Sequence, residues 1–229
     1  MVFAYRYVLA YGLIKPEKNL DILLLAPRML GDDARRLFLE GYGFPSFVYV
    51  EQDFTGQAWS FILALAKSIG SLKAGVIVLS SEQEAHLDLF IEQGFGTLLC
   101  AGILVSFQVG TEAGFPAEAL LPELYMSGEM ARTIQEMARV GFFRQVNLHG
   151  FAATFGGMIR SMALDREPIE ENMRQVLEEI RSGAFTEELQ AEVKAGYPSR
   201  SMLEQMLQDD NPITQVEEWV RHKMRLAYH

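Results

Sequence analysis

The chain has 229 residues, 49% hydrophobic content and a formal net charge of −10. This size supports a real hydrophobic core, and the acidity argues against a nucleic-acid backbone or an anionic membrane surface as partner. The single cysteine, Cys100, excludes an internal disulfide and suits a reducing cytosol, so a cytoplasmic location is expected.

The opening "MVFAYRYVLAYGLI" has no basic region ahead of an apolar one, and Arg6 interrupts it, so no secretory signal is expected. "VFAYRYVLAYG", "DILLLAP", "SFVYV" and "GVIVLS" read as strands. They are continuous apolar runs, as expected for parallel strands covered on both faces. Helical stretches lie between them, at about 31–40 and 57–68. The pattern strand–helix–strand–helix–strand predicts a small parallel sheet with right-handed crossovers.

After Ser80 the texture becomes helical. Helices are predicted at about 82–110, 116–139, 147–161, 167–182, 185–194, 199–207 and 213–226, punctuated by Gly and Pro. Thr186, ahead of two glutamates, is expected to cap a helix. The boundary gives an α/β domain over 1–80 and an all-helical domain over 81–229. Residues 93–111 carry no charge and imitate a membrane span. Their glycines and Gln108 favour a core helix buried on all sides, with Cys100 as a packed thiol.

Glycine loops offer little. "EGYGFP" follows a helix and precedes a strand, the reverse of a dinucleotide fingerprint, and reads as a helix cap and turn. "FGGM" at 155–158 lies between helical stretches and is equally weak. Among the histidines (His86, His149, His222 and His229) no pair has zinc-ligand spacing. His222 and His229 read as solvated.

The carboxylates offer more. Asp88 and Glu92 in "HLDLFIEQ" stand one helical turn apart. Like charges at that spacing repel, and a divalent cation with oxygen ligands would reverse the sign. A solvated helix face and a metal edge both remain open on this pattern. Glu123 in "LLPELYM" is a further carboxylate in an apolar setting.

The order of motifs adds a resemblance. "DILLLAPR", "EGYGFPSFVYVEQDFTGQA", "ALAKSIGSLKAGVI", "DLFIEQ", "EAGFPAEALLPEL" and "SGAF" together resemble ketol-acid reductoisomerase of the short-chain class, over nearly the whole chain and in the family's order. The resemblance implies a partial Rossmann-type parallel sheet followed by a knotted, interlocked helical domain, and a homodimer with active sites shared between subunits. It implies Mg²⁺ held by Asp88 and Glu92, with Glu123 supplied by the partner subunit. It implies a small 2-keto or 2-hydroxy acid substrate in branched-chain amino-acid biosynthesis.

Several positions depart from the family pattern. The active-site Lys is Arg28, and the second partner-subunit Glu falls on Ser127. The substrate-binding Ser falls near Gly150, and a His-Gly pair becomes Tyr5-Arg6. A supporting Glu two residues before the metal Asp becomes His86. The resemblance places residue 1 near the family's fourth strand, so the Gly-rich turn is expected to be missing and NADPH is left in doubt. From these departures the leading expectation is a dimeric scaffold or binding protein that has lost the parent reaction. The alternatives are an enzyme using one Mg²⁺ on a small hydroxy-keto acid, and an authentic ketol-acid reductoisomerase. No nucleic-acid and no membrane partner is expected.

Overall fold

The computed structural model describes residues 1–5, 7–207, 211–224 and 226; Arg6 and His229, singled out above, lie outside them. The chain forms two compact units. One comprises Met1–Gly94 with Gln175–Glu187, and the other Phe95–Arg174 with Glu188–His229.

The first unit is built on a four-stranded sheet, β1 (Val2–Phe3), β2 (Ile22–Pro27), β3 (Ser46–Gln52) and β4 (Val76–Val78), in that spatial order. β1 runs parallel to β2, and β4 runs parallel to β3. β2 and β3 are antiparallel, pairing Ile22 with Gln52 and Pro27 with Ser46. The sheet is therefore mixed, not all-parallel. A continuous apolar run does not fix strand direction, and in β4 it does not bring burial either, since Ile77 and Val78 are exposed.

Ile22 through Ala26 are all buried. On one face Leu23, Leu25 and Val48 pack with Ala58, Ile62 and Ala66 of α3 (Ala58–Ser68). The full helix order is α1 (Tyr7–Ala10), α2 (Gly31–Leu39), α3, α4 (Ser71–Ala74) and α5 (Ser81–Phe90), followed by the second unit's helices. The expected first strand stops at Phe3 and the chain turns into α1. There Tyr7 and Tyr11, four residues apart, pack as a tilted pair with ring centroids 4.8 Å apart. Tyr7 donates to the Thr186 hydroxyl at 3.1 Å, and Tyr11 to the Ile180 carbonyl at 2.8 Å. Thr186 is therefore a buried residue inside a helix, not its cap.

α2 ends as its glycine predicts. Gly41 has φ +82°, its N–H donates to Phe38 O, and the Tyr42 N–H donates to Leu37 O. Gly43 answers a different need. A Cβ there would lie 2.5 Å from Gly70 O and 2.8 Å from Ala74 N. α5 opens on a capping box in which Ser80 and Gln83 each bond the other's backbone N–H.

α5 continues through a π-helical segment, Ile91–Phe95, into α6 (Gly96–Glu112). The second unit then holds α7 (Ala117–Leu121), a second π-helical segment Pro122–Met126, α8 (Glu129–Val140) and α9 (Phe151–Ala163). α10 (Glu167–Ser182) and α11 (Ala184–Lys194) each divide between the units, and α12 (Ser199–Met206) and α13 (Pro212–Lys223) end the chain. Gly128, at φ +84°, splits the single helix expected over 116–139. The "FGGM" glycines lie inside α9. The second unit's core joins Phe107, Leu121, Met126 and Val220.

One expectation fails on burial. Ser81–Glu112 is long and apolar enough to cross a membrane by length and composition, yet only 11% of its most apolar window is buried. Leu99, Leu104, Val105 and Val109 are exposed, as is Cys100. Phe107 is the buried residue of α6. The helix is not covered on all sides within one chain.

The packing at Gly43 yields a prediction. Gly43→Ala forces backbone against backbone and should cost about 1–3 kcal/mol, read as a lowered urea midpoint with an unchanged slope.

Candidate functional site

The parallel pairing of β1 and β2 brings their C-terminal ends to one edge of the sheet, where loops collect catalytic side chains in α/β folds. Tyr5 follows β1 and Arg28 follows β2. The antiparallel β3 adds Phe47 from its N-terminal end. α5 supplies Glu84 and Asp88, one turn apart on one helix face.

These side chains meet. Arg28 donates from Nη1 to Asp88 Oδ1 at 2.6 Å and from Nη2 to Glu84 Oε1 at 3.0 Å. Its guanidinium lies over the Phe47 ring, 5.0 Å from the centroid, which adds a cation–π contact. The Arg28 backbone N–H donates to Pro45 O and fixes the base of the side chain. Both fork nitrogens are spent on carboxylates, and the buried Nε has no hydrogen-bond partner.

Glu84 is fully buried, whereas Arg28 and Asp88 keep about a quarter of their side-chain surface. Glu84 is the residue the sequence reading missed, having sought a supporting carboxylate at His86. His86 instead packs at a tilt against Tyr11, with ring centroids 6.0 Å apart. The signal was available: Glu84, Asp88 and Glu92 form an i, i+4, i+8 series.

Tyr5 shares this environment. Burial, then the charges of Asp88, Glu84 and Glu92, push its phenol well above the usual tyrosine range. The hydroxyl stays neutral and able to donate.

The remaining predicted residues lie elsewhere on the described surface. Glu92 is exposed in the first π-helical segment, and Glu123 is exposed in the second. π-helical segments recur at functional sites. Ser127 closes the second segment, exposed, with its hydroxyl accepting from the Glu129 N–H. Gly150 starts α9 and has no side chain with which to cap it.

Whether magnesium fits follows from these contacts. Asp88 and Glu92 offer suitable oxygens, but Asp88 is engaged by Arg28. Among the described residues, no three His, Cys, Asp or Glu side chains come close enough to hold a metal ion. Within one chain the residues do not form a magnesium site.

The first unit also holds a cavity of about 640 Å³, lined by Lys15, Tyr49, Glu51 and Ser81 among others. The second holds one of about 610 Å³ lined by Phe142, Met158 and Met162, with His149 hydrogen-bonded to Gln145.

A mixed sheet followed by a helical unit, with a basic residue and carboxylates at the sheet's edge, defines an α/β protein with a helical C-terminal part. Residues 1–75 match the family model described as "Acetohydroxy acid isomeroreductase, NADPH-binding domain". Residues 82–226 match "Ketol-acid reductoisomerase, C-terminal domain". The chain belongs to the ketol-acid reductoisomerase family.

It is 37% identical over 198 residues to the "Putative ketol-acid reductoisomerase 3" of Saccharolobus solfataricus, covering 86% of this chain and 59% of that one. It is 36% identical over 225 residues to the "Ketol-acid reductoisomerase (NADP(+))" of Methanopyrus kandleri, covering 97% and 67%. A solved "NADH-preferring ketol-acid reductoisomerase from an uncultured archean" superposes with TM-score 0.90 at 27% identity, over 98% of this chain and 67% of that one. The chain therefore spans about three fifths to two thirds of the length of these relatives. The doubt over NADPH is not supported, because residues 1–75 match a cofactor-binding domain.

Two predictions follow from the cluster. Arg28→Met removes the guanidinium bound to the buried Glu84 and should cost about 3 kcal/mol. Adding Glu84→Gln should restore part of that loss, a coupling read by a double-mutant cycle in urea. Tyr5 has a folded pKa raised above its ordinary value of 10.0, so its contribution is complete below that pH and is lost as pH rises further. Tyr5→Phe should therefore flatten the alkaline fall in stability, measured by thermal melts on either side of that pH.

Proposed function

We propose that this chain carries out, as part of an assembled enzyme, the isomerisation and reduction of a small 2-hydroxy-keto acid. The observation that supports this best is the ordered match to both domains of the family across nearly the whole chain. It favours an authentic ketol-acid reductoisomerase over a scaffold that has lost the reaction.

A nicotinamide cofactor, when bound, supplies the hydride. No Gly-x-Gly-x-x-Gly turn occurs in this sequence, so no residue here is assigned to its phosphates. The relatives include both NADP(+)-named and NADH-preferring proteins, so both cofactors belong in the test.

The chain's own residues contribute positioning and protonation. Arg28 fixes Asp88 and neutralises Glu84, holding the carboxylate face in one geometry. Tyr5 keeps a neutral hydroxyl in the field of those carboxylates, able to hydrogen-bond a substrate oxygen without giving up its proton. Arg28 and Asp88 are the residues on which we would place turnover. Ser127, Glu92 and Glu123 belong to the proposal through the family pattern alone.

A homodimer is part of the same proposal. The apolar exposed face of α6, with Leu99, Leu104, Val105 and Val109, is better explained by a second copy than by lipid, since Gln108 and the glycines interrupt it. The knotted, shared-site arrangement rests on the resemblance.

A second reading, a binding protein without turnover, draws on one observation, the engagement of Asp88 by Arg28.

The test is nicotinamide oxidation followed by absorbance, with NADPH or NADH, Mg²⁺ and 2-hydroxy-2-methyl-3-keto acids. Turnover that Asp88→Asn lowers at least about 100-fold supports the enzyme. Absence of turnover with every combination supports the binding protein.

A further inference from the structure

The magnesium that the family implies meets an obstacle on this chain, and the obstacle is a residue. We propose that Arg28 is a built-in cation that takes the place of a divalent ion at Asp88. The Glu84–Arg28–Asp88 bridge then competes with magnesium for the carboxylate face. This goes beyond the proposed reaction and rests on it only for the identity of Asp88 as the metal-side carboxylate.

Three observations carry the inference. The guanidinium reaches both carboxylates at once, at 2.6 and 3.0 Å, within charge-assisted hydrogen-bonding range. It does so while leaving its own buried Nε unpartnered, so the fork is committed to the two acids. The bridge is also braced on its other side by Phe47, at 5.0 Å, which restricts the guanidinium from swinging away.

The choice of residue matters. A lysine offers a compact, strongly hydrated charge on a flexible stem, which yields to a competing cation. Arginine presents a rigid planar fork that remains charged at any working pH and fits two carboxylates together. Glu84 makes release harder still. It is fully buried, so moving Arg28 aside to admit a metal breaks a charged hydrogen bond that water cannot replace. Magnesium would have to compensate both acids, and it demands near-octahedral oxygen geometry that one turn of helix does not supply.

The fold's own charge balance should thus need no metal. Magnesium binding at Asp88 should strengthen when the bridge is removed. Titrations of the 229-residue chain without substrate or cofactor read this separately from turnover.

Calorimetry with MgCl₂ to about 10 mM and paired thermal melts with and without EDTA are the measurements. The expected result is no binding heat and no change in melting temperature for the unsubstituted chain. Arg28→Gln should melt lower, and magnesium should raise its melting temperature by several degrees. Arg28→Lys, which retains the charge and protects folding, should show a smaller rise of the same sign. Two results overturn the inference. One is sub-millimolar magnesium binding to the unsubstituted chain that Asp88→Asn abolishes. The other is the absence of any magnesium response in folded Arg28→Gln or Arg28→Lys protein. Turnover alongside a silent titration leaves the enzyme reading intact and supports the built-in cation. Magnesium binding without turnover removes the built-in cation and says nothing in favour of catalysis.

Discussion

A buried carboxylate must find its positive charge inside the protein, and that constraint organises the first unit. Glu84 has no access to water, and Arg28 forms a salt bridge to it at 3.0 Å. The pairing joins the end of a central strand to α5, across 56 residues of sequence. Once Arg28 is fixed by Glu84, its second nitrogen falls on Asp88, and Asp88 in turn acts on Tyr5. Desolvation is the expensive step, so every polar group nearby is set by how it answers that one charge.

The sheet makes the constraint possible. β1 and β2 run in the same direction, so Tyr5 and Arg28 emerge side by side. β3 runs the other way and delivers Phe47 from its start, not its finish. An all-parallel sheet would put the start of that strand at the opposite edge, away from the guanidinium. The mixed pairing therefore bears directly on the site's composition.

Much of this was legible, and the limits have physical causes. The change from strands to helices near Ser80 shows in the loss of short apolar runs, and the Ser80–Gln83 capping box marks the new helix. Gly41 announces its position because only glycine adopts that backbone angle cheaply, whereas Gly128 has the same need but sits inside a helical pattern that masks it. "VFAYRYVLAYG" misled because aromatic and β-branched residues favour strands locally. Here Tyr7 and Tyr11 are recruited instead by the 175–187 segment, a partner no local pattern reveals. Asp88 stood out through its spacing to Glu92. Glu84 belonged to the same series, but spacing alone cannot say which member is buried or that Arg28 would face it.

The helical unit obeys a different constraint. Its core around Leu121 and Val220 is small, and α6 leaves most of its apolar surface outside it. Sequence hydropathy marks such a helix for burial without saying what buries it. Glu92 and Glu123 both lie in π-helical segments, where the extra residue in the turn displaces a side chain from the regular helix face. Arg28 answers both Glu84 and Asp88, whereas Glu92 and Glu123 stand exposed, each in the π-helical segment of its own unit.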